Sequence, residues 1–104
     1  MNQSEALALL NSLGDTPEQV ADSLLAQKIT GVPHSSVLCP ISYWLRSRGV
    51  INAHTNKFMI KIFQWSKVGS VSIPEDIIVR PPPEAISQFI KMFDTGKFPN
   101  LETK

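Results

Sequence analysis

The hydrophobic period of this 104-residue chain changes twice, and those changes confine it to one class of fold. Up to Gly49, apolar residues recur at three- and four-residue steps. From Val50 to Val79 they alternate or run in short β-favouring stretches, and beyond Pro81-Pro82-Pro83 the helical step returns. A helical period laid into a sheet would turn apolar side chains to water, so the middle is a sheet and the flanks are helices. The length suits one hydrophobic core and is too short for two, so residues 1–104 read as a single α+β domain.

Ser4–Leu13 sets Leu7, Leu10 and Leu13 at three-residue steps beside Ala6, with Gly14 as a left-handed stop. Thr16-Pro17-Glu18-Gln19 is a helix start in which Thr16 caps, Pro17 takes the first helical position and Gln19 completes a capping box. That second helix runs to about Lys28, with Val20, Ala21, Leu24 and Leu25 inward and Glu18, Asp22 and Gln27 outward. A third helix starts at Cys39-Pro40, turns Ile41, Trp44 and Leu45 inward and ends at Gly49.

Val50–Ala53 and a strand from Phe58 to Trp65 form a hairpin around a His54–Lys57 turn. In the second strand Phe58, Ile60 and Ile62 face one way and Met59, Lys61, Phe63 and Trp65 the other, which makes it the central strand. After a turn near Lys67-Val68-Gly69, the segments Ser70–Ile73 and Ile77–Val79 supply one strand or two fragments split by Pro74. Pro83 and Glu84 open a last helix whose Ile86, Phe89, Ile90 and Phe93 follow i, i+3, i+4, i+7 spacing up to Gly96. The expected architecture is three N-terminal helices, a small antiparallel sheet of three or four strands and a C-terminal closing helix, with helices enough for both sheet faces.

Charge is distributed unevenly. The formal net charge is +1, yet Lys28, Arg46, Arg48, Lys57, Lys61 and Lys67 fall between Ser23 and Pro74 with no Asp or Glu among them. Residues 1–22 hold Glu5, Asp15, Glu18 and Asp22 and no Lys or Arg. A basic middle beside acidic first helices points to an acidic partner, and a homodimer in which one copy's helices meet the other's basic face is a further expectation. No stretch approaches the roughly 20 apolar residues of a membrane-spanning helix, and no secretory signal opens the chain. One unpaired Cys39 agrees with a reducing, cytoplasmic setting.

Metal binding needs clustered ligands, and Cys39, His34 and His54 stand singly in the sequence. The glycines are scattered as turn and cap residues, with no phosphate-cradling loop, so no cofactor is expected. His34 and Cys39 lie close enough to suggest a thiolate–imidazole pair at a helix N-terminus. A cysteine between Leu38 and Pro40 is more simply a small buried hydrophobe, and the chain is read as non-enzymatic.

Two readings of the basic segment stay open. In the first, Tyr43, Arg46, Arg48, Lys57, Lys61, Trp65 and Lys67 contribute to a face that recognises an acidic protein surface. In the second, the helices around Gly31-Val32 form a helix-turn-helix with Ser42 and Tyr43 toward bases, and Asn56 and Lys57 lie in a wing that contacts nucleic acid. The long Lys28–Cys39 connection and Pro40 weigh against that second reading. A third, an inhibitor of a larger complex of the phage or mobile-element kind, matches only the chain's size and polarity.

Three segments carry a resemblance: Thr16-Pro17-Glu18-Gln19-Val20-Ala21, Cys39-Pro40-Ile41 with Tyr43 and Leu45, and the run from Phe89 to Leu101 containing Phe93-Asp94-Thr95-Gly96-Lys97-Phe98-Pro99. Their order resembles small stand-alone bacterial proteins of unassigned function. The resemblance implies no activity. It implies that Cys39-Pro40 serves to start a helix and that Phe98, Pro99 and Leu101 pack back on the domain.

Overall fold

The computed structural model describes residues 2–103, and its elements run α1 (Gln3–Asn11), α2 (Pro17–Ala26), α3 (Pro40–Ser47), β1 (Asn52–Thr55), β2 (Ile60–Val68), β3 (Val71–Val79), α4 (Glu84–Asp94) and a 3₁₀ turn at Pro99–Leu101. The strands pair antiparallel in the order β1-β2-β3, an α+β arrangement with β2 central. Among the described residues the sheet has three strands, because Pro74 is accommodated inside one continuous edge strand. Among the described residues no helix is long and apolar enough to cross a membrane.

Local chemistry fixes the helix starts. Asn2 and Glu5 form a reciprocal capping box, with the Glu5 N–H donating to Asn2 Oδ1 at 2.8 Å and the Asn2 N–H to Glu5 Oε1 at 3.1 Å. Thr16 Oγ1 caps Gln19 N–H at 3.2 Å, and the Gln19 side chain accepts the Asp15 N–H at 2.8 Å, one residue earlier than a standard capping box. The buried stripe of each helix is narrower than the apolar spacing predicts, since Leu7 and Leu25 lie outward, each 40% exposed. The inward stripes are Ala6, Leu10 and Leu13, and Val20, Ala21 and Leu24.

The β1–β2 connection also departs from the sequence reading. His54 and Thr55 are strand residues paired with Lys61 and Ile60, and the turn occupies residues 56–59. Asn56 shifts the turn forward: its Oδ1 accepts the N–H groups of Phe58 and Met59 at 2.8 and 2.9 Å. Phe58 is therefore a turn residue, 70% exposed, rather than part of a buried strand face.

Packing of the helices sets the final shape. α3 lies against β1 and α1 against β3, whereas α2 packs on α4 and on the Pro99–Leu101 turn. The helices thus stack on one side of the sheet, where Ala53, Ile60, Ile62, Ile77 and Val79 join Trp44, Ile86, Phe89 and Phe93 in one core. The other face, for which the sequence offers helices enough but leaves Trp65 as core or interface, stays open. Beyond Phe63, β2 loses β1 and pairs only with β3, so Gln64–Val68 and Val71–Glu75 form a two-stranded ribbon closed by Gly69-Ser70. Gly69, with φ +65°, supplies the left-handed first turn position of such a two-residue hairpin.

The C-terminal segment closes the molecule. Gly31 N–H donates to Leu101 O and Thr103 N–H to Gly31 O, both at 2.8 Å, while Leu101 is fully buried and Phe98 stacks on Phe89 at 5.3 Å. At Gly31 an added Cβ would stand 2.5 Å from Leu38 O and Pro40 Cδ. Gly31→Ala is expected to lower the unfolding free energy by about 1–3 kcal/mol through overpacking, measured by denaturant titration. Gly49→Ala, which meets nothing within 4 Å but holds φ +98°, tests backbone strain without that clash.

Candidate docking surface

A strand's side chains alternate, so placing Ile60, Ile62 and Gln64 in the core sends Lys61, Phe63, Trp65 and Lys67 to the open face. Trp65 is 62% exposed and stands opposite Pro74. Pro74 has no N–H, so the β2–β3 ladder runs past it with its nitrogen toward the free edge. The Trp65–Pro74 pair is then a non-hydrogen-bonded one, where facing side chains stand closest. His54 meets Phe63 edge-on at 5.4 Å. These residues, with Ile51 and Asn52, line a shallow depression of about 400 Å³.

Each outer strand has one edge backbone group engaged by a neighbouring segment. Ile78, four residues after Pro74, points its carbonyl outward, and that oxygen accepts a hydrogen bond from Gln3 Nε2 at 2.7 Å. On the other edge the Thr55 N–H donates to Ser36 O at 2.9 Å. These contacts and Pro74 interrupt the edges of the three-stranded part, while the ribbon beyond Phe63 and the open face remain uncovered.

The structure divides the residues singled out in the sequence. Lys61, Trp65 and Lys67 share the open face, and Lys61 lies 5.0 Å from the centre of the Phe63 ring and 3.7 Å from Asp76. Tyr43 and Arg46 stand at its β1 border, where the Arg46 guanidinium covers the Tyr43 ring at 4.6 Å. Arg46 Nη1 donates to Val37 O at 2.8 Å and Asn52 Oδ1 at 3.0 Å, tying the loop before α3 to the sheet. Arg48 is drawn away: its Nη2 donates to Gln27 Oε1 at 3.2 Å, and its guanidinium lies over Trp44 at 5.4 Å. Lys57 belongs to the β1–β2 turn beside Phe58.

Ser42 does not reach a groove. It is fully buried, donates to Ser36 O at 2.6 Å and shares a 3.1 Å hydrogen bond with Thr55 Oγ1. The Asn56 side chain is engaged by its own turn. Sequence reasoning overlooked Ile51, His54 and Pro74 as members of the aromatic face. The signal for Pro74 was present: with Gly69-Ser70 as a two-residue turn, counting back from Val68–Val71 pairs Trp65 with Pro74.

Cys39 is the N-cap residue of α3, followed by Pro40, and is 2% exposed. Burial raises its pKa above the ordinary 9.0, outweighing hydrogen bonds from Thr55 and from the backbone at Ile41 and Ser42 that act to lower it. The neutral thiol is therefore the favoured form. Among the described residues no group of three or more His, Cys, Asp and Glu side chains is arranged to hold a metal ion. No protein-family model, curated protein or solved structure matches the chain.

The thiol gives a pH-linked prediction. A folded pKa above the unfolded value means that the folded state holds the proton longer. Stability from this group is complete below pH 9.0 and declines as pH rises through the raised folded value. Cys39→Ala should flatten that alkaline decline in denaturant titrations at stepped pH. The native thiol should also label more slowly than a free cysteine peptide at neutral pH.

Proposed function

We propose that this protein is a non-catalytic binding module that recognises a protein partner through the open sheet face. The observation that carries the reading is Trp65, 62% exposed beside Phe63 and Pro74 over an apolar depression. An exposed indole beside other apolar side chains is the residue type that dominates protein interfaces when a partner covers it. The partner chemistry follows from the surroundings: an apolar side chain fills the depression, and acidic groups meet Lys67, Lys61 and the Tyr43–Arg46 border. The Lys61–Asp76 pair is exposed, so it contributes little in the free protein and is open to exchange for an acidic group on the partner.

This reading keeps the acidic protein partner suggested by the charge pattern but moves its centre. Trp65 is the anchor and the cations are the rim. Nucleic-acid recognition through α3 has less support, because Ser42 is buried and Arg48 is held by Gln27.

Affinity capture with the wild-type chain and with Trp65→Ser as bait tests the reading. Partners retained by wild type and Arg48→Ala but lost by Trp65→Ser are the expected result. Trp65→Ala should weaken a purified partner by about 2 kcal/mol or more, the size of an interface hot spot. Capture unchanged by Trp65→Ser, or salt-steep binding to random DNA or RNA without terminal phosphates that survives it, would contradict the reading.

A further inference from the structure

A second site lies apart from the aromatic sheet face. Two hollows, of about 300 and 320 Å³, share His34, Asn56 and Asp94 in their walls. They adjoin between the loop before α3, the β1–β2 turn and the C-terminal end of α4, and the outer one, the cleft lined by Lys57, Phe58, Lys91 and Asp94, is within the size range of small-molecule sites.

Its walls are held firmly. His34 adopts a left-handed backbone, φ +63°, which a residue with a Cβ ordinarily avoids, and its N–H donates to Asp94 Oδ1 at 2.9 Å. Ser87 Oγ donates to Lys57 O at 2.6 Å, fastening the β1–β2 turn to α4. Asn56 rigidifies the same turn from within. The most exposed large hydrophobic side chain among the described residues, Phe58, is thus presented on a fixed turn at the cleft mouth.

We propose that this cleft binds a nucleoside monophosphate. Lys57 and Lys91 line the outer hollow and supply charge-assisted donors for a phosphate. Asp94 Oδ2 has no hydrogen-bond partner among the described residues, and a carboxylate there accepts from a ribose hydroxyl. The Phe58 ring offers a stacking surface for a base, with Lys57 Nζ 5.2 Å from its centre. Phosphate, sugar and base each find a matching group within one cleft, whereas inorganic phosphate or a nucleoside alone engages only part of it.

Amide chemical-shift titration of the full chain tests this with AMP, GMP, CMP and UMP, and with adenosine and inorganic phosphate as controls. Saturable shifts at His34, Phe58 and Asp94 are expected for at least one monophosphate, with affinity at least about tenfold above that for both controls. Phe58→Leu and the double change Lys57→Ala/Lys91→Ala should each weaken binding about tenfold or more, while Trp65→Ala leaves it unchanged. All these side chains are exposed, and the variants' amide spectra report directly that the fold persists. A short oligonucleotide with a 5′-phosphate distinguishes a free nucleotide from a chain end: equal affinity assigns the site to a terminus, weaker affinity to the free monophosphate. No saturable shift up to about 5 mM of any monophosphate, or equal binding of inorganic phosphate alone, would overturn the proposal.

Discussion

The alternation of side chains along β2 is the constraint on which the rest of this molecule depends. Burial of Ile60, Ile62 and Gln64 commits Lys61, Phe63 and Trp65 to the opposite face, whatever their own hydrophobicity. A slip of one residue would bury Lys61 and expose two isoleucines. Two features oppose that slip: the Asn56 turn at one end of β2 and the Gly69-Ser70 turn at the other. The open face is therefore a consequence of register, and its apolar character is a property that the core does not require.

Stacking the helices on one side completes the arrangement. Because α2 spends its apolar stripe on α4 and on the Pro99–Leu101 turn, it cannot cover the second sheet face. The C-terminal segment holds α2 and α4 in that relation through Leu101 and the paired hydrogen bonds at Gly31. Gln3 and Pro74 on β3 and Ser36 beside β1 interrupt the sheet edges at single positions, whereas the ribbon beyond Phe63 has no neighbour on the β2 side. The distal ribbon adds Val68 and Val71, 61% and 58% exposed, in a segment with no third strand or helix to bury them.

Much of this was legible in the residues. The α4 stripe of Ile86, Phe89, Ile90 and Phe93, the capped start of α2 and the proline-initiated α3 each combine a period with a boundary signal, and the structure places all of them as read. The side-chain parity of β2 was legible as well. The layer order was not, because a second apolar face on β2 is compatible with a covered central strand and with an uncovered one. Only the distance relation between α2 and α4 decides between them. Arg46 and Arg48 show the same limit: sequence gives a cation, but Val37 O and Gln27 Oε1 determine whether it is a free contact or a structural tie.

Trp65 faces water in the free protein, whereas Trp44, 1% exposed, does not. Acrylamide quenching of wild type and Trp65→Phe separates the two indoles in dilute protein, the difference between them being the Trp65 signal. This difference signal should be quenched nearly as readily as free tryptophan, the remaining Trp44 signal should be strongly shielded, and the substitution should change unfolding free energy by less than about 0.5 kcal/mol. A shielded Trp65, accompanied by a stability loss of about 3 kcal/mol or more on Trp65→Ala, would show instead that the second face is already covered and that Trp65 belongs to the core.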